Sequence, residues 1–424
     1  MLSLSFNNWD DYGVSTTLNA VLYVDGKSFL DFELKLLIED DKYSPKKLNE
    51  LCESGWNGFF PIPELNYVSV PSDIDLYNFL IAKIGIEEAK NTLTSIRDAG
   101  YLKNIIGDQE AVKLIEHDDF SISPLREGGA RKAYEDGWKV FNAEVSSIKD
   151  FTLNTIKRDG LIEPICFKFN SNLLPYDINV LIGENGIGKS HTLKSLVEYW
   201  LGVERGSKPS LAKSQHEPFD HYPNISKLIL ISYSPFEEFT IDLSKTNLKD
   251  KDAYKYFGFR KIIEDVDGNQ RVGISRNLPA SDSVSSILTS IHDDLKFGSL
   301  TNWTHKFETI LSVLMSAIEF DFVAFEIIES FELFNQTSDF SEFLVGEDKK
   351  HLKIDGHVIQ KIEEWNIDLK SCIKFDSGAV FIKDNKAIEI SSGQRLFCYI
   401  VVNVVGQIRK DSLVVIDEPE LFLH

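Results

Sequence analysis

Cysteine is scarce in this chain of 424 residues: four are present, and they lie far apart, at Cys52, Cys166, Cys372 and Cys398. No CxxC pair and no cluster of histidines stands beside them. Disulfide frameworks and structural zinc sites show close, regular spacings of cysteine, so we expect neither here. This cysteine usage is typical of a protein in the reducing cytoplasm.

Long apolar stretches are absent as well. The longest covers residues 396–405, far fewer than the roughly 20 that cross a bilayer. The first ten residues lack the basic segment and apolar core that mark a secretory signal. We therefore expect a cytoplasmic protein without a membrane partner, in which residues 396–405 form a buried helix or strand.

Positive charge is in deficit, with 45 Lys and Arg against 66 Asp and Glu and a formal net charge of −21. Nonspecific binding of nucleic acid depends on Lys and Arg that neutralise phosphates, so a surface that is basic throughout is excluded. Any nucleic-acid site must be a local patch. The acidity itself is most simply explained by solubility.

Apolar and aromatic residues are plentiful, at 43% and 12% of the chain, which is enough for packed cores. A chain of this length usually divides into two or three domains. The residue patterns predict a mixed α+β domain over residues 1–155, strands over 156–240, a mainly helical insert over 241–375, and further strands over 376–424.

Local patterns support this division. Hairpins are predicted around Asp25-Gly26 and Asp267-Gly268, and helices are predicted to begin near Ser44 and Ser72. Apolar periodicity predicts helices over residues 281–295 and 304–320. Continuous apolar runs predict buried strands over residues 178–182, 227–233 and 412–416.

A glycine-rich loop follows the first of these runs and matches the phosphate-loop (Walker A) pattern GxxxxGK[ST]. Such glycines let backbone N–H groups curl around a phosphate, the lysine brings a positive charge to the β and γ oxygens, and the hydroxyl binds Mg²⁺. The helix expected over residues 191–201 would direct the positive end of its dipole at the same phosphates. The pattern arises by chance in about one chain in a hundred of this length. The predicted nucleotide-binding residues are Gly183, Glu184, Asn185, Gly186, Ile187, Gly188, Lys189, Ser190 and His191.

An acidic pair, Asp417 and Glu418, follows the apolar run 412–416 in the Walker B pattern. Asp417 is predicted to bind Mg²⁺ through its water shell, and Glu418 to accept a proton from the attacking water. On its own such a pair is a common strand ending. Combined with the phosphate loop, it indicates a nucleotide hydrolase.

A third segment, residues 390–394, has the sequence Ile-Ser-Ser-Gly-Gln and precedes the apolar run 396–405. Ser391 and Gly393 would present a hydroxyl and an N–H donor at a helix N-terminus, which suits an anion. The alternative interpretation is an ordinary helix cap.

In this order, the three motifs resemble those of the ATP-binding-cassette (ABC) class of P-loop ATPases. The last eight residues, Asp-Glu-Pro-Glu-Leu-Phe-Leu-His, resemble the DEPExxLH ending of the SMC, RecF and OLD-like branch. That branch includes many bacterial AAA-type ATPases of DNA repair and anti-phage defence. The resemblance covers residues 152–424. It implies an α/β fold, with an ABC-type head built from residues 156–240 and 376–424 around the insert 241–375, after the mixed domain 1–155.

The resemblance also implies a mechanism. Two heads form a homodimer that encloses two ATP molecules, and Ser391 and Gly393 of one head contact the γ-phosphate held by Lys189 of the other. Ser190 and Asp417 would hold Mg²⁺, while Glu418 and Lys189 would be catalytic. DNA or an effector protein is the expected further partner. A scaffold that binds ATP with little turnover and assembles with an effector is the alternative function.

Three departures from the family pattern stand out. The expected glutamine after the run 227–233 is missing, with Glu237 and Glu238 nearby, and the second signature position is Ser392 instead of glycine. The chain ends at His424, before the strand that carries the family's switch histidine, so the resemblance implies a head truncated at its C-terminus.

Two weaker candidates remain. Residues 249–261 mix basic and aromatic side chains, as single-strand binders do, but an amphipathic edge strand explains them better. Arg126 and Arg131 flank glycines and suggest an anion loop, a pattern that is also common in ordinary turns.

Overall fold

The computed structural model describes most of the chain, and the structural statements below concern these residues: 2–6, 14–24, 26–126, 128–142, 147–157, 160–169, 177–184, 186–202, 216–241, 253–264, 270–298, 303–328, 343–346, 350–365 and 367–422. The chain divides into two units. The first contains Met1–Leu228, Leu243–Tyr254 and Arg409–Leu413, and the second contains Ile229–Asp242, Lys255–Ile408 and Val414–His424.

The first unit begins with an antiparallel sheet of order β1-β2-β3-β4, made of Leu2–Phe6, Thr17–Val24, Lys27–Ile38 and Tyr67–Pro71. The predicted hairpin is confirmed by its strands, with Val24 opposite Lys27 and Gly26 at a φ of 77°, while Asp25 lies outside the described residues. Positive φ is the conformation that a tight hairpin turn requires, and glycine adopts it without steric cost.

Seven helices accompany this sheet. The predicted start at Ser44 is confirmed, with proline in the first turn, whereas the helix expected from Ser72 begins at Asp75. Buried side chains from β3, β4 and the later helices form an apolar core that includes Leu37, Val68 and Phe120. The helices are α1 (Ser44–Glu53), α2 (Asp75–Ile84), α3 (Ile86–Ser95), α4 (Ala99–Tyr101), α5 (Gln109–Ile115), α6 (Asp118–Ile122) and α7 (Gly128–Asp136).

Two further strands and one helix complete the described part of the first unit. Strands β5 (Phe151–Ile156) and β6 (Ile162–Phe167) form an antiparallel pair, and α8 covers Lys189–Trp200. The strand predicted over residues 178–182 is not formed. Instead, the Asn179 side-chain amide bonds both the N–H and the carbonyl of Lys168, at 2.9 Å each.

Most of a three-stranded sheet, of order β16-β7-β8, belongs to the second unit. The predicted strands are confirmed as β7 (Lys227–Ser232), buried at every position, and β16 (Ser412–Ile416); β8 is Tyr254–Gly258. The second predicted hairpin is confirmed as the antiparallel strands β9 (Arg260–Glu264) and β10 (Gln270–Ile274). Its expected Asp267-Gly268 turn lies outside the described residues.

In the described part of the predicted helical insert, residues 241–375, helices contain more residues than strands do, but short strands are present as well. An antiparallel five-stranded sheet of order β12-β13-β11-β14-β15 also crosses the predicted boundary at 375. Its strands are β11 (Phe322–Glu326), β12 (Leu344–Val345), β13 (His351–Lys353), β14 (Ala379–Lys383) and β15 (Lys386–Ala387). These strands are short and are stabilised by pairing with strands that are distant in the sequence. A search for helical periodicity does not detect such pairing.

The helices of the second unit pack on this sheet around one large apolar cluster. The apolar run 396–405 lies within the last of them, and among the described residues no helix is both long enough and apolar enough to cross a bilayer. They are α9 (Leu278–Phe297), α10 (Lys306–Met315), α11 (Gly356–Glu364), α12 (Leu369–Cys372) and α13 (Ser392–Gln407).

Candidate functional site

The predicted site residues fall in both units. The phosphate loop, residues 183–190, belongs to the first unit. Ser391, Gly393, Asp417 and Glu418 belong to the second.

The phosphate loop has the backbone that its glycines permit. Gly186 and Gly188 lie at φ values of 84° and 110°, where L side chains are strained, and no heavy atom lies within 4 Å of a Cβ built on either. Helix α8 begins directly afterwards at Lys189. The loop therefore leads into the N-terminus of a 12-residue helix, whose N-terminal N–H groups and dipole favour an anion. Asn185 lies outside the described residues.

Lys189 turns its side chain back onto the loop. Its ammonium donates to the carbonyl oxygens of Gly183 at 2.9 Å and Glu184 at 3.2 Å. The Ile187 N–H also donates to the Glu184 carbonyl, at 3.4 Å. These carbonyls keep the lysine charge at the loop, next to the start of α8.

The side chains around the loop are accessible. Ser190 and His191 are exposed, and Ile182 and Ile187 are 90% and 71% exposed. The Ser190 hydroxyl is therefore placed on the first turn of α8 where an outside ligand can reach it. His191 occupies the same exposed turn.

The acidic pair follows β16 directly, and its two carboxylates have different surroundings. Asp417 is 5% exposed, and its N–H donates to the Ile231 carbonyl of β7 at 3.0 Å. Glu418 is exposed and has a φ of 53°, which is rare for a residue with a side chain. The buried carboxylate is held in place by the sheet, while the exposed one is presented by a strained turn.

The signature-like segment forms a helix cap. Ser391 is the N-cap of α13: its hydroxyl accepts the Gln394 N–H at 3.2 Å, and the Gln394 side chain accepts the Ser391 N–H at 3.0 Å. Gln394 also donates to the Ala317 carbonyl at 3.2 Å. This reciprocal capping box fixes the start of the 16-residue helix and leaves the Ser391 hydroxyl hydrogen available as a donor.

Glu237, one of the two carboxylates near the missing family glutamine, has a structural role that the sequence did not reveal. Its side chain is 2% exposed and pairs with Arg260 at 2.9 Å. It also accepts the Tyr256 hydroxyl at 2.5 Å and the Phe239 N–H at 2.6 Å. With these partners, Glu237 anchors β8 and β9.

Packing also accounts for side chains of the two weaker candidate sites, residues 249–261 and the loop with Arg126 and Arg131. In the described part of residues 249–261, Tyr254 and Phe257 are only 3% and 5% exposed, so they belong to the core and offer no stacking surface. Arg131 lies over the Tyr222 ring and donates to the Leu125 carbonyl at 3.2 Å. Its guanidinium is thus engaged within the fold.

Within the described residues, no group of three or more His, Cys, Asp or Glu side chains has the arrangement of a metal site. The predicted Mg²⁺ ligands, the Ser190 hydroxyl and the Asp417 carboxylate, are oxygen donors of the kind that Mg²⁺ prefers, supplemented by water and phosphate oxygens. Comparison with protein-family models, with curated proteins and with solved structures gave no match in any of the three.

Proposed function

We propose that this chain binds ATP with Mg²⁺ at residues 183–190 and hydrolyses it as an ATPase of the ABC type. The observation that carries the proposal is the loop geometry. Two glycines with positive φ stand immediately before Lys189, at the N-terminus of α8. Backbone N–H groups, a helix dipole and an ammonium at one place are the components of a polyphosphate site.

In the proposed complex, Lys189 exchanges the carbonyls of Gly183 and Glu184 for phosphate oxygens. The loop N–H groups surround the β-phosphate, and Ser190 with Asp417 would hold Mg²⁺. When bound, Mg²⁺ neutralises charge on the β and γ oxygens. The exposed Glu418 would orient the attacking water and accept its proton.

The substitution Lys189→Ala tests nucleotide binding. A hydrogen bond to a charged group contributes about 1.5–3 kcal/mol, so we expect the ATP dissociation constant to rise about tenfold or more. Isothermal titration calorimetry with MgATP measures it. Lys194→Ala, on the same helix, is the matched control and should bind as the wild type does. Unchanged affinity in Lys189→Ala would rule out the assignment.

Turnover separates an ATPase from a scaffold that binds ATP without hydrolysing it. Steady phosphate release should fall about a hundredfold or more in Glu418→Gln, since proton transfer by a placed side chain contributes about that much. If the wild type binds ATP but releases no phosphate, the scaffold function would be favoured.

We further propose, from the family resemblance, that the ATP cycle drives dimerisation of two heads and serves DNA repair or anti-phage defence. The protein has a net charge of −21, so it could bind DNA only through a local basic patch on its surface. Stimulation of phosphate release by added DNA distinguishes a DNA partner from an effector protein.

A further inference from the structure

Helix α7 lies in the amino-terminal part of the first unit, yet its side chains contact segments from three distant parts of the chain. These segments are the end of α8, the loop before β7 and the turn before β16. All of these contacts join residues of the first unit. Trp200 is the last residue of α8, which begins at Lys189, and Asp411 precedes β16, which ends just before Asp417.

The contact with α8 is made at its last residue. Gly128 lies so close to Trp200 that an added Cβ would be 2.9 Å from the indole Cζ2, and Trp200 is 1% exposed. The Arg131 guanidinium lies 5.2 Å from the centre of the Tyr222 ring. The Tyr222 hydroxyl in turn donates to the Trp200 carbonyl at 2.7 Å. Gly128, the Arg131 guanidinium and the Tyr222 ring together hold the C-terminal end of α8.

The contact with the turn before β16 is ionic. Lys132 is fully buried, and its ammonium pairs with Asp136 on α7 and with Asp411 at 2.9 Å. The Asp411 carbonyl accepts the Ser226 N–H at 3.0 Å. A buried ammonium that loses one carboxylate partner is costly, so this pairing restrains the turn strongly.

Two further bonds tie the same segments to the amino-terminal part. Asn224, which lies before β7, donates to the Asp136 carboxylate at 3.1 Å, and Arg409 pairs with Asp73 at 2.8 Å. Burial raises the pKa of Asp136, but the hydrogen bonds and charges of Lys132 and Lys139 outweigh burial and lower it. Asp136 is therefore ionised at neutral pH and completes the charge pairing.

We propose that α7 positions the two motif-bearing elements and thereby couples the amino-terminal part of the chain to the ATP cycle. Helix α8 runs from Lys189 to Trp200, and β16 runs from the Asp411 turn to Asp417. Helices and strands move nearly as rigid elements, so a shift of α7 displaces both motifs. The inference rests on the proposed ATPase function.

The test uses Asp411→Asn, which removes the charge that faces Lys132, and Tyr222→Phe, which removes only the hydroxyl that reaches Trp200. Lys139→Ala is the control, because it removes a partner of Asp136, at 2.5 Å, and leaves the pair of Lys132 with Asp411 in place. Hydrogen exchange without nucleotide is measured for α8 and β16, with β2 as the internal reference. We expect Asp411→Asn to speed exchange in β16 and Tyr222→Phe to speed it in α8, each about fivefold relative to β2.

The second measurement is MgATP affinity and turnover. We expect kcat to fall about fivefold or more in both variants while the ATP dissociation constant changes less than about twofold, and we expect Lys139→Ala to behave as the wild type does. Loss of thermal stability with exchange and kcat unchanged would overturn the proposal. If the wild type binds no ATP, the proposed function fails, and the nucleotide-free exchange still decides whether α7 holds the two elements.

Discussion

At the scale of single residues, the acidic pair shows how adjacent carboxylates acquire different properties. Asp417 is buried and its backbone continues the pairing of β16 with β7, whereas Glu418 is exposed at a φ of 53°. Such a backbone conformation costs about 1–3 kcal/mol and is concentrated at functional sites. Six other described non-glycine residues also have positive φ, so this conformation supports the proposed role of Glu418 only in combination with the Asp417-Glu418 motif.

A second carboxylate, Asp98, predicts how stability depends on pH. It is fully buried, and burial raises its pKa to about 7 against hydrogen bonds from Tyr101, Tyr77 and Gly100. Between about pH 4 and 7 the folded protein therefore retains a proton that the unfolded chain has lost, and this group's contribution to stability falls as pH rises. The full loss is on the order of a few kcal/mol, since one pKa unit corresponds to about 1.4 kcal/mol.

Replacing Asp98 with Asn keeps an acceptor for the Tyr101 N–H and removes the charge. We expect Asp98→Asn to raise the melting temperature at pH 8 relative to the wild type and to have much less effect near pH 4.5. Thermal unfolding followed by circular dichroism from pH 4.5 to 8 measures this difference. Glu88→Gln, an equivalent change at an exposed position, controls for net charge. If the melting temperatures of Asp98→Asn and the wild type differ by the same amount at every pH, the raised pKa of Asp98 would be contradicted.

At the scale of elements, the start of α13 has two possible roles that one residue can separate. Ser391 caps the helix, and removal of an N-cap costs about 1 kcal/mol. Aspartate caps as well as serine does but brings a negative charge. The cap and the proposed contact with a partner's γ-phosphate therefore respond differently to the same substitution.

We expect Ser391→Ala to lower the free energy of unfolding by about 1 kcal/mol and Ser391→Asp to preserve it. If Ser391 also contacts phosphate, both variants lose ATP-dependent dimerisation, because neither donates a hydroxyl hydrogen. Urea unfolding and light scattering with MgATP make the two measurements. Normal dimerisation of Ser391→Asp would limit Ser391 to the capping role.

The segment 178–182 illustrates how an element depends on its neighbours. Its apolar pattern is that of a buried strand, but Ile178, Val180 and Ile182 are 57%, 68% and 90% exposed. A strand exists only where another strand supplies hydrogen-bond partners. Here the Asn179 amide, not a backbone ladder, makes the connection to Lys168.

At the scale of the whole molecule, the proposed mechanism requires a second copy of the chain. In the proposed mechanism, each nucleotide is completed by Ser391 and Gly393 of another head. Blocking hydrolysis should therefore trap the ATP-bound assembly. A large negative charge on both copies opposes their association, so dimerisation should strengthen with ionic strength.

We expect Glu418→Gln to elute as a dimer with MgATP and as a monomer without nucleotide, in gel filtration with light scattering. The combined variant Lys189→Ala/Glu418→Gln should remain monomeric in both conditions, because it lacks the ammonium at the phosphate loop. A Glu418→Gln protein that stays monomeric while it binds ATP would exclude the two-headed mechanism.

The sequence by itself determined those features that depend on local chemistry. These include the Gly26 hairpin, the proline that starts α1, the positive φ of Gly186 and Gly188, and the continuous burial of β7. In each case a few adjacent residues define the allowed backbone or the buried face.

Tertiary structure alone decided which distant groups meet. Among the described residues no strand pairs with 178–182, Glu237 pairs with Arg260, and α7 brings Lys132 to Asp411. No periodicity or spacing encodes such pairs, because a contact across hundreds of residues is set by packing and by the cost of leaving a buried charge unpaired. The backbone of the loop at residues 183–190 therefore follows from eight consecutive residues, while the contacts of α7 with the end of α8 are seen only in the folded chain.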